Sequence, residues 1–416
     1  MTQSPISNAL SIVHPLTLSH GRNALVWDSE GKQYIDFVGG IGVLNLGHCH
    51  PGVVAAITAQ AQKLTHSAFN AVPHEGYRQL MSALAAFIPL SYPLAGMLTN
   101  SGAEAAENAL KIVRAATGRS AVIAFDGGFH GRTLATLNLN GKVAPYKQRL
   151  GALPGPVYHI PYPSPDTGVT ADEAFAAIER LFSVEIDIAE VACFIFEPVQ
   201  GEGGFLAMDP SFAQGLRSFC DANGILLIAD EIQSGFGRTG QRFAFQRLGI
   251  EPDLLLLGKS IAGGLPLGAV IGREALVNAL PKGGLGGTYS GNPLACAAAL
   301  ASLQAMTDSN LACWGETQEQ AILRRYERWR KQAISPCLGR LTGTGAMRGI
   351  ELRTADGKPG TQQLAALLEN ARNKGLLLMP SGKNRHIVRL LAPLTIEPEL
   401  FEKGLDIFEE CLAAIR

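Results

Sequence analysis

Two apolar runs of this chain end in residues that could do chemistry together. The run 225–229 is followed by Asp230 and Glu231, and the run 254–257 is followed closely by Lys259. In an open parallel sheet, the carboxyl ends of the strands meet at one edge, and ligands bind there. We therefore expect a carboxylate pair and a lysine amine to share one site.

A third segment, 99–104, is a polar turn that contains Gly102 and opens a helix-like stretch. The N–H groups at a helix N-terminus bind anions such as phosphate. A phosphate-binding turn, an amine and an acid are together what pyridoxal phosphate requires: the lysine forms a Schiff base and the carboxylate keeps the pyridine nitrogen protonated. Each feature alone is more often structural, so the combination carries this hypothesis.

Two motifs of nucleotide-binding proteins are incomplete in the sequence. The tripeptide 258–260 resembles the end of a P-loop, but Asp253 stands where the loop needs its first glycine. The segment 235–240 fits a G-x-G-x-x-G pattern, but Gln241 and Arg242 follow it instead of an apolar helix, and no acidic residue ends a strand about 20 residues on. A nucleoside triphosphatase and a dinucleotide-binding fold are both disfavoured.

The pair His48 and His50, with Cys49 between them, could suggest a metal site, since imidazole and thiolate are good ligands. There is no second cluster of such residues, and Pro51 follows directly. We interpret the segment as a loop entering a helix and expect no metal. The seven cysteines form no C-x-x-C pair, which is typical of free thiols in a reducing compartment.

Composition narrows the class of protein. The 416 residues are 47% hydrophobic, enough for two or three domains, and 35 basic residues against 36 acidic ones give a net charge of −1. A nucleic-acid partner is therefore not expected. The first 21 residues contain no Lys or Arg, and no apolar run approaches the ~20 residues of a membrane span. We predict a soluble, cytoplasmic protein.

The elements that must position these groups alternate along the chain. Apolar runs typical of buried strands lie at 121–125, 191–196, 225–229 and 254–257. Helix-like stretches lie at 104–117, 171–181 and 211–223, and they predict an open, mainly parallel sheet covered by helices. Beyond about residue 300, a helix at 316–332 and strands at 347–352 and 387–391 suggest a smaller α+β domain. A hairpin at 24–27 and 34–37 could pack against either domain.

Six ordered segments resemble the class III pyridoxal-phosphate aminotransferases, and among them the 4-aminobutyrate aminotransferases, and the resemblance runs from about residue 20 to the end of the chain. These segments are 39–45, 101–108, 129–133, 197–204, 229–235 and 258–264. The resemblance implies a fold type I α/β enzyme with a large, mainly parallel α/β/α domain at 49–300 and a small α+β domain at 301–416. The segment 1–48 would pack with the small domain. It also implies a homodimer, or a dimer of dimers, with active sites at the interface.

The resemblance assigns the cofactor contacts residue by residue. Lys259 matches the Schiff-base lysine, and Asp230 matches the partner of the pyridine nitrogen. The remaining cofactor-binding assignments are Gly102 and Ala103 for the phosphate, Phe129 for stacking on the ring, His130 in the same motif, Gln233 for the phenolic oxygen and Thr288 for the phosphate of the neighbouring subunit's cofactor. Many relatives have Ser at the position of Ala103, so one hydroxyl contact is missing here.

The substrate contacts follow in the same way. Arg389 would bind the α-carboxylate of glutamate or 2-oxoglutarate, and Arg132 the distal carboxylate, because an arginine can hold a carboxylate with two hydrogen bonds. Glu202 matches the residue that pairs with this arginine when an ω-amino acid, which lacks an α-carboxylate, is bound. Ile41 corresponds to a wall of the pocket.

These assignments predict transfer of an amino group from an ω-amino acid such as 4-aminobutyrate to 2-oxoglutarate, giving a semialdehyde and glutamate. Lys259 would act as the general base. Donors that remain open are 2-aminoadipate, 5-aminovalerate, ornithine and other diamines, since one methylene changes binding by only ~1 to 3 kcal/mol. A racemase or aminomutase would release no 2-oxo acid. A non-catalytic dimeric scaffold would have no need for Lys259 and Asp230.

Overall fold

The computed structural model describes residues 5–309 and 311–415. Within them the strands β1 to β17 are, in chain order, Leu18–Arg22, Leu25–Asp28, Gln33–Asp36, Leu94–Thr99, Ala121–Phe125, Val157–Ile160, Val191–Phe196, Val199–Gln200, Leu206–Ala207, Leu226–Asp230, Leu254–Leu257, Gly268–Arg273, Leu338–Thr344, Met347–Leu352, Leu376–Leu377, Met379–Ser381 and Ile387–Leu390. The helices α1 to α13 are Gly39–Gly42, Pro51–Ala61, Glu75–Phe87, Gly102–Thr117, Leu134–Leu139, Ala171–Val184, Pro210–Asn223, Phe245–Leu248, Glu274–Val277, Pro293–Asp308, Leu311–Lys331, Thr361–Asn373 and Pro398–Ala413.

A seven-stranded sheet forms the largest layer, in the order β4-β12-β11-β10-β7-β5-β6. The pairs β11-β10, β10-β7, β7-β5 and β5-β6 are parallel, and only β12 runs against both of its neighbours. Every residue of β5, β7 and β11 is buried, as expected for strands covered on both faces. The prediction of a mainly parallel α/β sheet is confirmed.

The helices of this layer start and stop at capping residues. Ser101 caps α4 by accepting a hydrogen bond from the Glu104 N–H. The helix begins at Gly102, two residues before the predicted start. Gly224 ends α7 in the left-handed conformation, at φ 61°, as its position after the apolar pattern predicts. The pattern located the helices correctly but missed capping turns, and α11 begins at Leu311 instead of residue 316.

A second core lies around the antiparallel sheet β13-β14-β17-β16 and helices α11, α12 and α13. The hairpin β2-β3 joins this core, because β3 pairs in parallel with β15 through Ile35 and Leu376. Ala24, Ile35 and Phe37 are buried in the same hydrophobic cluster as Trp329. The sequence left open which part of the protein the hairpin packs against. In the structure it packs against the C-terminal elements.

Two segments that resemble ligand-binding motifs, 48–50 and 235–240, have irregular structure. His50 precedes Pro51 at the start of α2, and His48 Nε2 lies 2.8 Å from Asp36 Oδ2. The glycine-rich segment 235–240 forms turns and opens no helix of the dinucleotide-binding kind. In the described part of the chain, none of the helices combines the length and the apolar character needed to cross a membrane.

Candidate active site

A cavity of about 340 Å³ lies at the carboxyl edge of the large sheet. Segments that follow five strands, β4, β5, β7, β10 and β11, contribute to its walls. Eight of the residues assigned from the sequence line it: Gly102, Ala103, Phe129, His130, Glu202, Asp230, Gln233 and Lys259. The strand-end argument thus brought together residues that are up to 157 positions apart in the chain, from Gly102 to Lys259.

Asp230 is fixed in the cavity by two donors. Its Oδ2 lies 2.7 Å from His130 Nδ1, and its Oδ1 accepts a hydrogen bond from the Ile232 N–H at 3.1 Å. Burial lowers the pKa of His130, but the hydrogen bond and the charge of Asp230 outweigh burial, and the pKa is raised above its usual value. The two hydrogen bonds fix the orientation of the Asp230 carboxylate in the cavity.

The expected pairing of Asp230 with Glu231 in one site is wrong. Glu231 is fully buried, and its carboxylate interacts with Ser234 Oγ at 2.5 Å and the Phe245 N–H at 2.7 Å. Adjacent side chains of a strand point to opposite faces of the sheet, so two consecutive carboxylates at a strand end diverge. Of these two carboxylates, only Asp230 lines the cavity.

Lys259 follows β11 with a positive φ of 45°, a backbone conformation that is rare for residues other than glycine and typical of functional sites. Burial lowers the pKa of its amine, and the negative charges of Glu197, Glu202 and Asp230 oppose this only in part. A lowered pKa increases the neutral fraction of the amine, which is the form that acts as a nucleophile or a base.

The first turn of α4 supplies the anion-binding end of the cavity. Its first N–H groups, at Gly102 and Ala103, have no partner within the helix by geometry, and the helix dipole favours negative charge there. A Cβ atom on Gly102 would lie 2.6 Å from Ile232 Cδ1, so a larger residue would require the Ile232 side chain to shift. The turn fits a phosphate group.

Gln233 presents a buried amide to the cavity. Its Oε1 is buried and has no hydrogen-bond partner. The side chain is closely confined, since a Cβ on Gly201 would lie 2.8 Å from it and one on Gly42 would lie 3.3 Å from it. Buried polar atoms are nearly always satisfied in proteins, so this amide is suited to a bound polar group such as a phenolic oxygen.

Glu197 is a cavity residue to which the sequence reasoning assigned no role. It follows β7, and its two oxygens accept hydrogen bonds from the Phe129 N–H at 2.8 Å and the Gly201 N–H at 2.9 Å. Burial raises its pKa to about 7, with His130 opposing and Asp230 adding to the rise. The same strand-end rule that pointed to Asp230 could have found it. Glu197 thus fixes the two loops that carry Phe129 and Glu202.

An ion pair beside the cavity joins the two cores, and its carboxylate partner, Glu202, lines the cavity. Arg389 lies in β17 of the small sheet and is fully buried, and its Nη2 is 2.5 Å from Glu202 Oε1. Burial raises the pKa of Glu202, but Arg389 outweighs burial and lowers it. The Nε and Nη1 atoms of Arg389 are buried without a partner, so Glu202 satisfies only part of the guanidinium.

The other assigned residues lie outside the cavity lining. Arg132 is exposed, with its Cζ 5.8 Å from the centre of the Phe129 ring, and its segment adjoins the cavity. Ile41 is 38% exposed at a φ of 62°, and the neighbouring Val43 lines the cavity instead. Thr288 is exposed in a loop, so its assignment to a neighbouring subunit stays a prediction.

The fold and the cavity define an enzyme that binds pyridoxal phosphate. Comparison with protein families gives the particular kind: the model of class III aminotransferases matches residues 7–412, and the chain belongs to this family. It is 74% identical over 415 residues, 100% of both chains, to the 2-aminoadipate transaminase of Pseudomonas putida. It is 45% identical to the 4-aminobutyrate aminotransferase of Escherichia coli, over 98% of this chain and 95% of the relative.

Solved structures agree with the sequence relatives. A PLP-bound amine transaminase from an uncultivated Pseudomonas species matches with a TM-score of 0.90 at 26% identity, covering 100% of this chain and 98% of that chain. The chain is therefore a fold type I aminotransferase, and its substrates are amino acids and 2-oxo acids.

In such an enzyme, each of these residues would have a separate role. When bound, pyridoxal phosphate supplies an electrophilic carbonyl carbon and a ring that accepts electrons. Lys259 would hold it covalently and then carry a proton at Nζ, and the Asp230 carboxylate would bind the protonated ring nitrogen. The α4 turn would bind the phosphate, Phe129 would pack on the ring and Gln233 would contact the phenolic oxygen.

Proposed function

We propose that the protein transfers the amino group of 2-aminoadipate to 2-oxoglutarate, giving 2-oxoadipate and glutamate. The observation that carries this proposal is the buried Arg389, a guanidinium that can hold an α-carboxylate once Glu202 moves aside, with the exposed Arg132 as a second cation. The 74% identity to a 2-aminoadipate transaminase supports the same donor. We therefore favour this alternative over the 4-aminobutyrate donor that the motifs first suggested.

The two substrates of this reaction are closely related in shape. Both are dicarboxylates with the reacting carbon next to one carboxylate, and they differ by one methylene in length. The same pair of arginines would hold each of them, with Arg389 on the α-carboxylate and Arg132 on the distal one. A site with these two fixed cations suits both half-reactions without a second binding mode.

An ω-amino acid donor is the second candidate, and the ion pair between Glu202 and Arg389 favours it. When the donor has no α-carboxylate, Glu202 neutralises the buried Arg389, which otherwise stays unpaired at high cost. The 45% identity to a 4-aminobutyrate aminotransferase is consistent with this activity. The two candidates predict different donor preferences.

The test is a donor panel with the purified holoenzyme. We expect glutamate to form from 2-oxoglutarate fastest with 2-aminoadipate, with kcat/KM at least about tenfold above 4-aminobutyrate, 5-aminovalerate and ornithine. Pyruvate in place of 2-oxoglutarate serves as the acceptor control, because it lacks the distal carboxylate. Faster turnover of 4-aminobutyrate would establish the second candidate instead.

Three further features belong to the proposal. The exposed Thr288 loop supports a homodimer, or a dimer of dimers, in which each subunit completes its neighbour's phosphate site. The separate hydrophobic clusters support a boundary near residue 48 and a second one after α10 instead of at residue 300, since Leu303 and Met306 belong to the cluster of the large sheet. A cytoplasmic location is consistent with the seven free cysteines. Sedimentation velocity of the holoenzyme would test the assembly.

A further inference from the structure

One side chain that has no role in the assignments above touches both ends of the proposed substrate site. Tyr146 lies in the segment 141–155 that follows α5, and its hydroxyl is 3.1 Å from Glu202 Oε2. Its ring centre is 4.8 Å from Arg132 Cζ and 5.2 Å from the centre of the Phe129 ring. Tyr146 therefore connects the group that occupies Arg389 to the arginine proposed for the distal carboxylate.

We propose that Tyr146 is a positioning residue that sets the balance between the two substrate modes: its hydroxyl holds Glu202 on Arg389, and its ring holds Arg132 ready for a distal carboxylate. The inference deepens the proposed function and rests on it, because it uses the two arginines as carboxylate-binding groups.

The hydroxyl acts on Glu202 through the oxygen that Arg389 leaves free. Glu202 Oε1 binds Arg389 Nη2 and Oε2 accepts from Tyr146, so both ends of the carboxylate are held. The backbone is also fixed, since the Glu202 carbonyl accepts a hydrogen bond from the Gly382 N–H at 3.0 Å. Burial and Glu202 raise the pKa of Tyr146 to about 12, so the hydroxyl keeps its proton and donates.

This hydrogen bond stabilises the arrangement in which Arg389 is already paired. A dicarboxylate must displace Glu202 from Arg389, whereas an ω-amino acid leaves the pair in place. The hydroxyl of Tyr146 therefore favours ω-amino acids and opposes dicarboxylates.

The ring acts in the opposite direction. Arg132 is exposed, and the faces of Tyr146 and Phe129 are the aromatic surfaces beside its guanidinium. Cation–π contact restricts the guanidinium to fewer positions before a substrate arrives. A pre-positioned Arg132 binds the distal carboxylate more tightly, so the ring favours dicarboxylates.

The test compares Tyr146→Phe with Tyr146→Leu. The Phe variant loses only the hydroxyl, and the Leu variant loses the hydroxyl and the ring. Glutarate is the probe, because this five-carbon dicarboxylate has no amine or ketone and cannot react. Its binding to each holoenzyme is measured by calorimetry, and Tyr158→Phe, in the edge strand β6, is the matched control that should leave the affinity unchanged.

We expect Tyr146→Phe to bind glutarate about 3- to 10-fold more tightly than the wild type, and Tyr146→Leu to bind it about 3- to 10-fold more weakly than Tyr146→Phe. In single-turnover measurements, the ratio of the rate on 4-aminobutyrate to that on 2-aminoadipate should fall at least about threefold in Tyr146→Phe. If Tyr146 had a purely structural role, its replacement would lower the rates on both substrates by the same factor.

Three results would overturn the inference. The first is an unchanged or weakened glutarate affinity in Tyr146→Phe, and the second is an unchanged rate ratio in that variant. The third is equal affinities in the Phe and Leu variants. If the Leu variant does not fold, the Phe variant decides through its affinity and rate ratio. Failure of the wild type to bind glutarate would instead refute the proposed dicarboxylate function.

Discussion

The two ends of the cavity are built differently. On the side that we propose for the cofactor (the cofactor side), Asp230 ends β10, Gln233 follows it and Lys259 follows the neighbouring strand β11. On the side that we propose for the substrate (the substrate side), Arg389 comes from the small sheet and meets Glu202 from the loop after β8. One end is set by the rules of an open parallel sheet, and the other by contacts between two cores.

This difference separates what is fixed by the reaction class from what can vary with the substrate. The cofactor side depends on strand ends whose positions follow from the order of the strands in the sheet. The substrate side depends on a few side chains that meet across a boundary, and each can change without disturbing the sheet. Substitutions should therefore abolish catalysis on the first side and shift specificity on the second.

Lys259→Ala should have the largest effect. Removing the nucleophile and general base should lower transamination at least about 10³-fold for every donor. In the wild type, borohydride reduction followed by peptide mass spectrometry should find the cofactor attached to Lys259. The control Lys63→Ala removes an exposed lysine and should keep full activity. An adduct on another lysine would contradict the assignment.

Asp230→Asn should come next. Asparagine keeps the shape but removes the charge that would stabilise a protonated ring nitrogen, so turnover should fall at least about 100-fold with every donor. Steady-state rates on two donors measure this. Near wild-type turnover would show that the carboxylate has no electrostatic role. A loss of turnover with only one donor would contradict the contrast between the cofactor side and the substrate side.

Glu202→Ala should act on one substrate mode. It leaves Arg389 as a buried cation beside an ω-amino acid that cannot pair with it, which costs roughly 1 to 3 kcal/mol or more. The half-reaction of 4-aminobutyrate should therefore slow at least about tenfold, and those of glutamate and 2-aminoadipate should slow less. Single-turnover rates on each donor test this. Equal losses would mean that Glu202 is only structural.

Glu231→Gln should have the smallest effect and alter stability rather than specificity. Burial raises the pKa of Glu231 from 4.5 to about 7, so the folded protein binds more protons than the unfolded one between these values. The free energy of unfolding should therefore fall as pH rises through this window, and less steeply in the glutamine variant. Urea unfolding measures this at about pH 5 and about pH 8. From the lower to the higher pH, the free energy of unfolding of the variant should rise relative to that of the wild type by on the order of 1 kcal/mol. An identical difference at both pH values would contradict the buried titration.

The sequence predicted the cofactor side better than the substrate side, for a physical reason. Strand ends follow from apolar runs, so the positions of Asp230 and Lys259 after such runs were enough to assign both residues to one edge of the sheet. The direction of a single side chain does not follow from such runs, and Glu231 was therefore misassigned. The meeting of Arg389 with Glu202 was implied by the family resemblance alone, and the contact of Tyr146 with both Glu202 and Arg132 had no sequence signal.

The anchoring of the Glu202 backbone limits the motion that a change of substrate would require. The Glu202 carbonyl accepts a hydrogen bond from the Gly382 N–H, and the nearby Gly204 carbonyl accepts one from Thr342 Oγ1 at 2.8 Å. Freeing Arg389 therefore requires rotation of one side chain and no opening of a loop. Side-chain rotations take picoseconds to nanoseconds where the chain is exposed, against turnover of about 1 to 10³ per second. Even a much slower rotation in the buried site would add no delay when the two half-reactions alternate.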